Sequence, residues 1–220
     1  MNLREKSAVW WIVTISVVIF FIELISFSIN PEFIKYFAIS ASNFFNGRYL
    51  WTLLLHIFSH GGFFHLLVNM FALFSLGTLA EKIIGKKRFI WFYLIAGLFA
   101  GILSILLSGF FGFGFWEKVF GSPEVYMLGA SGAIFGVAGL FVVLLPRLRF
   151  GIIFIPFFSL PAYVMIPFVL VIMWIASIGA GLPLGNVAHF GGFLAGLVYG
   201  FYLKIKYKRK VAMLQKLFRQ

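Results

Sequence analysis

The sequence predicts an all-α membrane protein: a bundle of six transmembrane helices with a membrane-embedded first loop. Three observations predict it. Of 220 residues, 62% are hydrophobic and only 11% charged, with a mean hydropathy of +1.05, whereas a soluble domain carries about 25% charged residues. The 31 Phe exceed what the core of so small a domain can hide, so many must face lipid. Uncharged runs long enough to cross the bilayer recur along the chain, and basic residues separate them.

The elements follow from that spacing, since a span takes roughly 20 apolar residues in helical form. The first covers about residues 8–29. It is too long for a signal-peptide core, and no small-x-small cleavage site follows, so it reads as a retained anchor. The uncharged run from Tyr49 to Ala80 exceeds one upright span, and Gly61-Gly62 can break it. It divides into a partly embedded loop and a helix over 63–82. Spans over 89–108 and 129–145 follow, with a Gly- and aromatic-rich loop between them and Pro146 as the stop. The uncharged stretch from Phe150 to Leu203 holds two more, over 157–178 and 187–203, joined by a hairpin at Gly179–Gly185. Residues 204–220 form a basic tail, and 1–220 make one domain without internal repeats.

Charge placement sets the orientation. In a six-span arrangement 15 of the 18 basic residues fall on one side, including Arg4, Lys6, Arg147, Arg149, and the tail from Lys204 to Arg219. Both termini are therefore expected in the cytoplasm, with the tail as a topology signal and an anionic-lipid contact. This use accounts for the net charge of +12, and no nucleic-acid partner is expected. With no Cys and no Asp, thiol nucleophiles, disulfides and a Ser-His-Asp triad are excluded.

Intramembrane polar residues are costly and point to function. A helix rises about 1.5 Å per residue, so Ser131, 16 residues from Arg147, lies about 24 Å above the basic edge. His189, counted from Lys204, lies at about 22 Å, and His65 and Asn69, counted from Lys82, at about 25 and 20 Å. Three helices thus place these four residues in one layer nearer the outer surface. A Ser hydroxyl needs a base to become a nucleophile, and His is the usual one. Ser131 opens a helix in Gly129-Ala130-Ser131-Gly132, where free N–H groups and the helix dipole favour an oxyanion. His65 and Asn69 share a helix face and can complete that site. With no carboxylate at this depth except Glu23, the expectation is a Ser-His dyad, the His189 imidazole being held by packing on Phe135. Glu23 itself either stands at the level of the site or snorkels to the outer interface. Gly132 and Gly136, facing Gly192, Gly196 and Gly200, are small-xxx-small pairs that let the Ser and His helices approach.

These residues resemble the rhomboid family of intramembrane serine proteases. Gly129-Ala130-Ser131-Gly132-Ala133-Ile134-Phe135-Gly136 looks like its nucleophile motif and Ala188-His189-Phe190-Gly191-Gly192 its general-base helix. His60, His65 and Asn69 reproduce its H-x4-H-x3-N pattern; Gly47 to Thr52 resembles a stretch of its first loop, and Glu81, Gly85 and Arg88 resemble the link between its second and third helices. The resemblance implies Ser131 as nucleophile, His189 as base, and His65, Asn69 and the Ser131 backbone as the oxyanion site, with Gly129 and Ala130 beside it. Phe135, His60, Gly132 and Gly192 support them, and no metal or cofactor is implied. The implied activity is cleavage of single-span membrane proteins in or near the membrane, by a minimal core in a prokaryotic plasma membrane. From the residues alone, His60 is a loop hydrogen-bonder, His56 a packing residue, and Glu81 a cap or a partner of Arg88 or Lys82.

Overall fold

The structure, a computed structural model, describes residues 7–152, 155–180 and 185–218. It is an all-α membrane bundle of six main helices. These are α1 (Ala8–Ile29), α2 (Phe63–Ile84), α3 (Lys86–Phe111), α4 (Ser131–Leu144), α5 (Ala162–Ala180) and α6 (Asn186–Lys206). A small hairpin, β1 (Arg149–Ile152) and β2 (Ile155–Pro161), lies between α4 and α5, and α7 (Lys208–Leu217) follows α6. By length and composition α1, α2, α3 and α5 each suffice to cross a membrane.

Helix α4 occupies the centre. Eleven of its 14 residues are buried, whereas α1 and α5 expose one apolar face, with Ile25 and Ile175 each over 60% accessible. In lipid, apolar contact alone does not drive helices together, so close packing must. Small residues supply it. A Cβ at Gly192 would sit 1.8 Å from the Gly132 carbonyl oxygen, one at Gly196 2.0 Å from that of Gly136, and one at Gly139 2.4 Å from that of Phe193. The α4 and α6 backbones therefore touch along this seam, which sets Ser131 and His189 side by side.

The first loop runs from Asn30 to Gly62 and contains the short helices Ala41–Phe45 and Thr52–Leu55. It packs on a second glycine-bearing face, on α3. A Cβ at Gly97 would meet Ile57 at 2.8 Å, one at Gly101 the His56 ring at 2.8 Å, and one at Gly109 the Phe45 ring at 2.3 Å. Trp51 Nε1 donates to the Tyr36 carbonyl at 3.0 Å, and Tyr36, Tyr49 and Trp51 make mutual ring contacts on the exposed side of the loop.

Glu81 ties α2 to α1. Its carboxylate accepts from the Ser7 hydroxyl and from the backbone N–H groups of Ala8 and Val9, at 2.9 and 3.3 Å. It thus caps the positive end of the α1 dipole rather than pairing with Arg88 or Lys82. Midway along α2, Leu73–Gly77 is π-helical; a Cβ at Gly77 would meet Val9 and Leu73 at 3.0 Å.

The structure corrects several sequence boundaries. The fifth helix starts at Ala162, not at 157, because 149–161 fold into the antiparallel hairpin, with Arg149 opposite Pro161 and Gly151 opposite Ser159. Pro156 and Pro161 interrupt helical hydrogen bonding, and the surrounding aromatic and β-branched residues favour a strand. Helix α3 extends three residues beyond 89–108 at each end, and α4 begins at Ser131 rather than 129. The loop before α4 carries a 3₁₀ turn at Gly114–Trp116 and a helical turn at Glu117–Phe120. The basic tail is largely helical: in α7, Val211 is buried and Gln215 reaches the Val143 carbonyl at 3.3 Å. Part of the expected Gly179–Gly185 hairpin, residues 181–184, lies outside the described residues, as do Arg4, Lys6 and Arg219.

Candidate active site

Ser131 is the first residue of α4, after Ala130, so its N–H belongs to the unpaired first turn. His189 lies in the first turn of α6, where its N–H donates to the carbonyl of Gly185 at 3.1 Å. Gly185 has φ +59°, a left-handed turn that favours glycine. The two starts are adjacent, and the His189 Nε2 to Ser131 Oγ distance is 2.7 Å. The His189 ring is 4.6 Å from that of Phe135, one turn below Ser131, at 30° between planes. Its Nδ1 is buried with no hydrogen-bond partner among the described residues. No carboxylate among the described residues bonds the imidazole, which is buried against the Phe135 ring.

The segment leading to Ser131 is fixed by backbone bonds to the first loop. Ile39 and Met127 exchange bonds of 2.7 and 2.9 Å, and the Gly129 N–H donates to the His56 carbonyl at 2.9 Å. Gly129 has φ +136°, and a Cβ there would lie 2.9 Å from His65 Cε1 and 3.6 Å from Ser131 Oγ. Glycine is therefore required twice, by conformation and by space. The His65 ring and the Ser131 hydroxyl flank this one position. Asn69, one turn below His65 on α2 and buried, donates from Nδ2 to the His65 carbonyl at 2.9 Å, which leaves its second amide proton free.

Glu23 neither snorkels nor reaches His189. It is 1% exposed, and its carboxylate accepts the His60 backbone N–H at 3.0 Å. The His60 ring bonds the Phe58 carbonyl through Nδ1 at 3.1 Å and stands 5.2 Å from the ring of His65. Glu23 and His60 also line the polar end of an apolar groove of about 790 Å³ between α1 and α2, with Phe20, Phe27 and Leu66. Neither Ser131 nor His189 lines this groove, so it is not the Ser-His pocket. No group of three or more His, Cys, Asp or Glu is placed to hold a metal among the described residues.

The residues that reasoning from sequence missed act through backbone. Ile39 and Met127 carry no side-chain signal. His56 carried one, a polar residue in an apolar run with Gly101 of a small-xxx-small pair to receive its ring.

The rhomboid-domain family model matches residues 47–206, from the first loop to the end of α6. The chain belongs to the rhomboid family. Among its rhomboid relatives are RHOMBOID-like protein 5 of Arabidopsis thaliana, 33% identical over 71% of this chain and 45% of that protein, and the rat presenilin-associated rhomboid-like protein, mitochondrial, 30% identical over 91% and 53%. The rhomboid protease GluP of Bacillus subtilis is 30% identical over 83% of this chain and 31% of its own length. The chain thus aligns with about half or less of these relatives' lengths.

Proposed function

We propose that this rhomboid is an intramembrane serine endopeptidase that cuts transmembrane-helix proteins through a Ser131–His189 dyad. The observation that carries the reading is the 2.7 Å contact between His189 Nε2 and Ser131 Oγ at the start of a helix.

In this reading neutral His189 accepts the Ser131 proton at Nε2 as Oγ attacks the scissile carbonyl. The negative oxygen of the tetrahedral intermediate is met by the Ser131 N–H, the His65 ring and the free Asn69 amide proton. Collapse expels the amine, which takes the proton back from His189, and leaves an acyl-Ser131 ester. Water then gives its proton to His189, attacks the ester and regenerates the hydroxyl. A substrate helix shields its carbonyls by internal hydrogen bonds, so local unwinding must precede attack. Small and helix-breaking residues near the cut favour it. Protonation of His189 removes the base, so cleavage falls in acid.

The basic ends of the helices fit the cytoplasmic face, with the dyad toward external water and the whole in a prokaryotic plasma membrane. Helix α5 serves as the lateral gate; its Trp174 Nε1 donates to the Val119 carbonyl at 3.2 Å, and the Trp174 ring packs 5.9 Å from Phe190.

A serine-directed fluorophosphonate tests the reading. It labels the wild type and neither Ser131→Ala nor His189→Ala. A wild type that resists labelling would indicate a non-cleaving binder of transmembrane helices on the same fold.

A further inference from the structure

A cluster of two cations and two phenols lies at the basic end of the bundle, between α3 and α6. Arg88, in the first turn of α3, donates from Nη2 to the Tyr207 hydroxyl at 3.1 Å, and its guanidinium stands 5.4 Å from the centre of that ring. Lys206, the last residue of α6, donates from Nζ to the Tyr202 hydroxyl at 2.6 Å. The same ammonium is 5.1 Å from the Tyr202 ring centre and 5.8 Å from that of Tyr207. Two cations therefore converge on one aromatic ring.

No carboxylate among the described residues balances them. Glu81, seven residues before Arg88, is occupied by the N-terminus of α1. The one ion pair among the described residues joins Lys35 to Glu32, in the first loop. Each phenol oxygen accepts from a cation, so each phenol proton remains to be donated elsewhere. The cluster thus offers a guanidinium, an ammonium and two O–H groups, and what it lacks is an acceptor with negative charge. Phosphate oxygens meet that demand by charge-assisted hydrogen bonds and relieve the repulsion between the cations.

The surroundings select the source of the phosphate. Tyr202 is 49% exposed and stacks on Tyr199 at 6.0 Å, which stacks on Phe92 at 4.8 Å. Exposed tyrosines at the end of a membrane helix sit at headgroup level. We propose that Arg88, Lys206, Tyr202 and Tyr207 form a binding site for the phosphate of an anionic phospholipid.

The test is a titration of the full-length protein, in neutral detergent micelles, with dioleoylphosphatidylglycerol, dioleoylphosphatidylcholine or inorganic phosphate, read as a shift of the thermal midpoint. Phosphatidylglycerol raises the midpoint of the wild type; the other two do so far less. Arg88→Gln and Lys206→Gln each weaken the apparent affinity about fivefold, the worth of one cation near a membrane surface. Tyr207→Phe weakens it without changing charge, and Lys216→Gln, which removes a cation outside the cluster, leaves it unchanged. Equal losses for every lysine and arginine variant, with Tyr207→Phe silent, would reduce the effect to surface charge and overturn the site. Equal stabilisation by inorganic phosphate would overturn the lipid assignment. The readout needs no proteolysis, so its result is independent of the proposed activity.

Discussion

The Cα of Gly192 lies so close to the Gly132 carbonyl that a methyl group there would stand 1.8 Å from the oxygen. The obstacle is backbone, which has no rotamer with which to yield. Gly192→Ala therefore forces α6 away from α4 and destabilises the bundle by about 3 kcal/mol or more, at or above the upper end of core overpacking. Gly62→Ala meets nothing within 4 Å in an extended conformation (φ 171°) and should stay within about 0.5 kcal/mol of the wild type. Reversible unfolding in mixed micelles measures both.

That contact also shows how far the sequence could be read. The glycine spacing on the two helices announced a close approach, and the common depth of Ser131, His189, His65 and Asn69 announced a layer, because both are carried by side-chain identity at helical period. The hairpin at 149–161 was not legible. An uncharged run of Phe, Ile and Pro has the same hydropathy in a strand as in a span, and only pairing with Arg149–Ile152 decides. The pin from Ile39 to the Ser131 segment uses main-chain atoms, which every residue possesses, so no residue type could reveal it, and at His56 the side chain marked the position but not its main-chain bond to Gly129.

Glu23 shows the same limit from the other side, since its depth was readable but its partner was not. Glu23→Leu strands the buried His60 N–H and costs about 1–3 kcal/mol. Glu23→Gln keeps an oxygen acceptor at that position and recovers most of the loss. Comparing the thermal midpoints of the three proteins checks this order; a leucine variant as stable as the wild type would contradict it.

The Glu81 cap makes a separate prediction. Glu81→Ala leaves the Ala8 N–H without its acceptor and the Val9 N–H with the Ser7 Oγ alone, and loosens α1, at about 1–2 kcal/mol. Hydrogen exchange should rise first in the opening turn of α1 while α4 and α6 stay protected.

In the proposed mechanism Phe135 positions His189 through the contact between their rings. Phe135→Ala removes that contact and should lower kcat about tenfold, the upper range for an aromatic pair, with KM little changed. Phe135→Tyr keeps the ring and should keep most of the rate. Equal losses in both variants would show that more than stacking is at work.

The most direct measurement of the central claim is cleavage of a single-span reporter protein in liposomes by purified wild type and by Ser131→Ala of matched thermal midpoint. The account predicts cleavage within the reporter's membrane segment by the wild type and none by the variant. Cleavage by Ser131→Ala at the wild-type rate would contradict it.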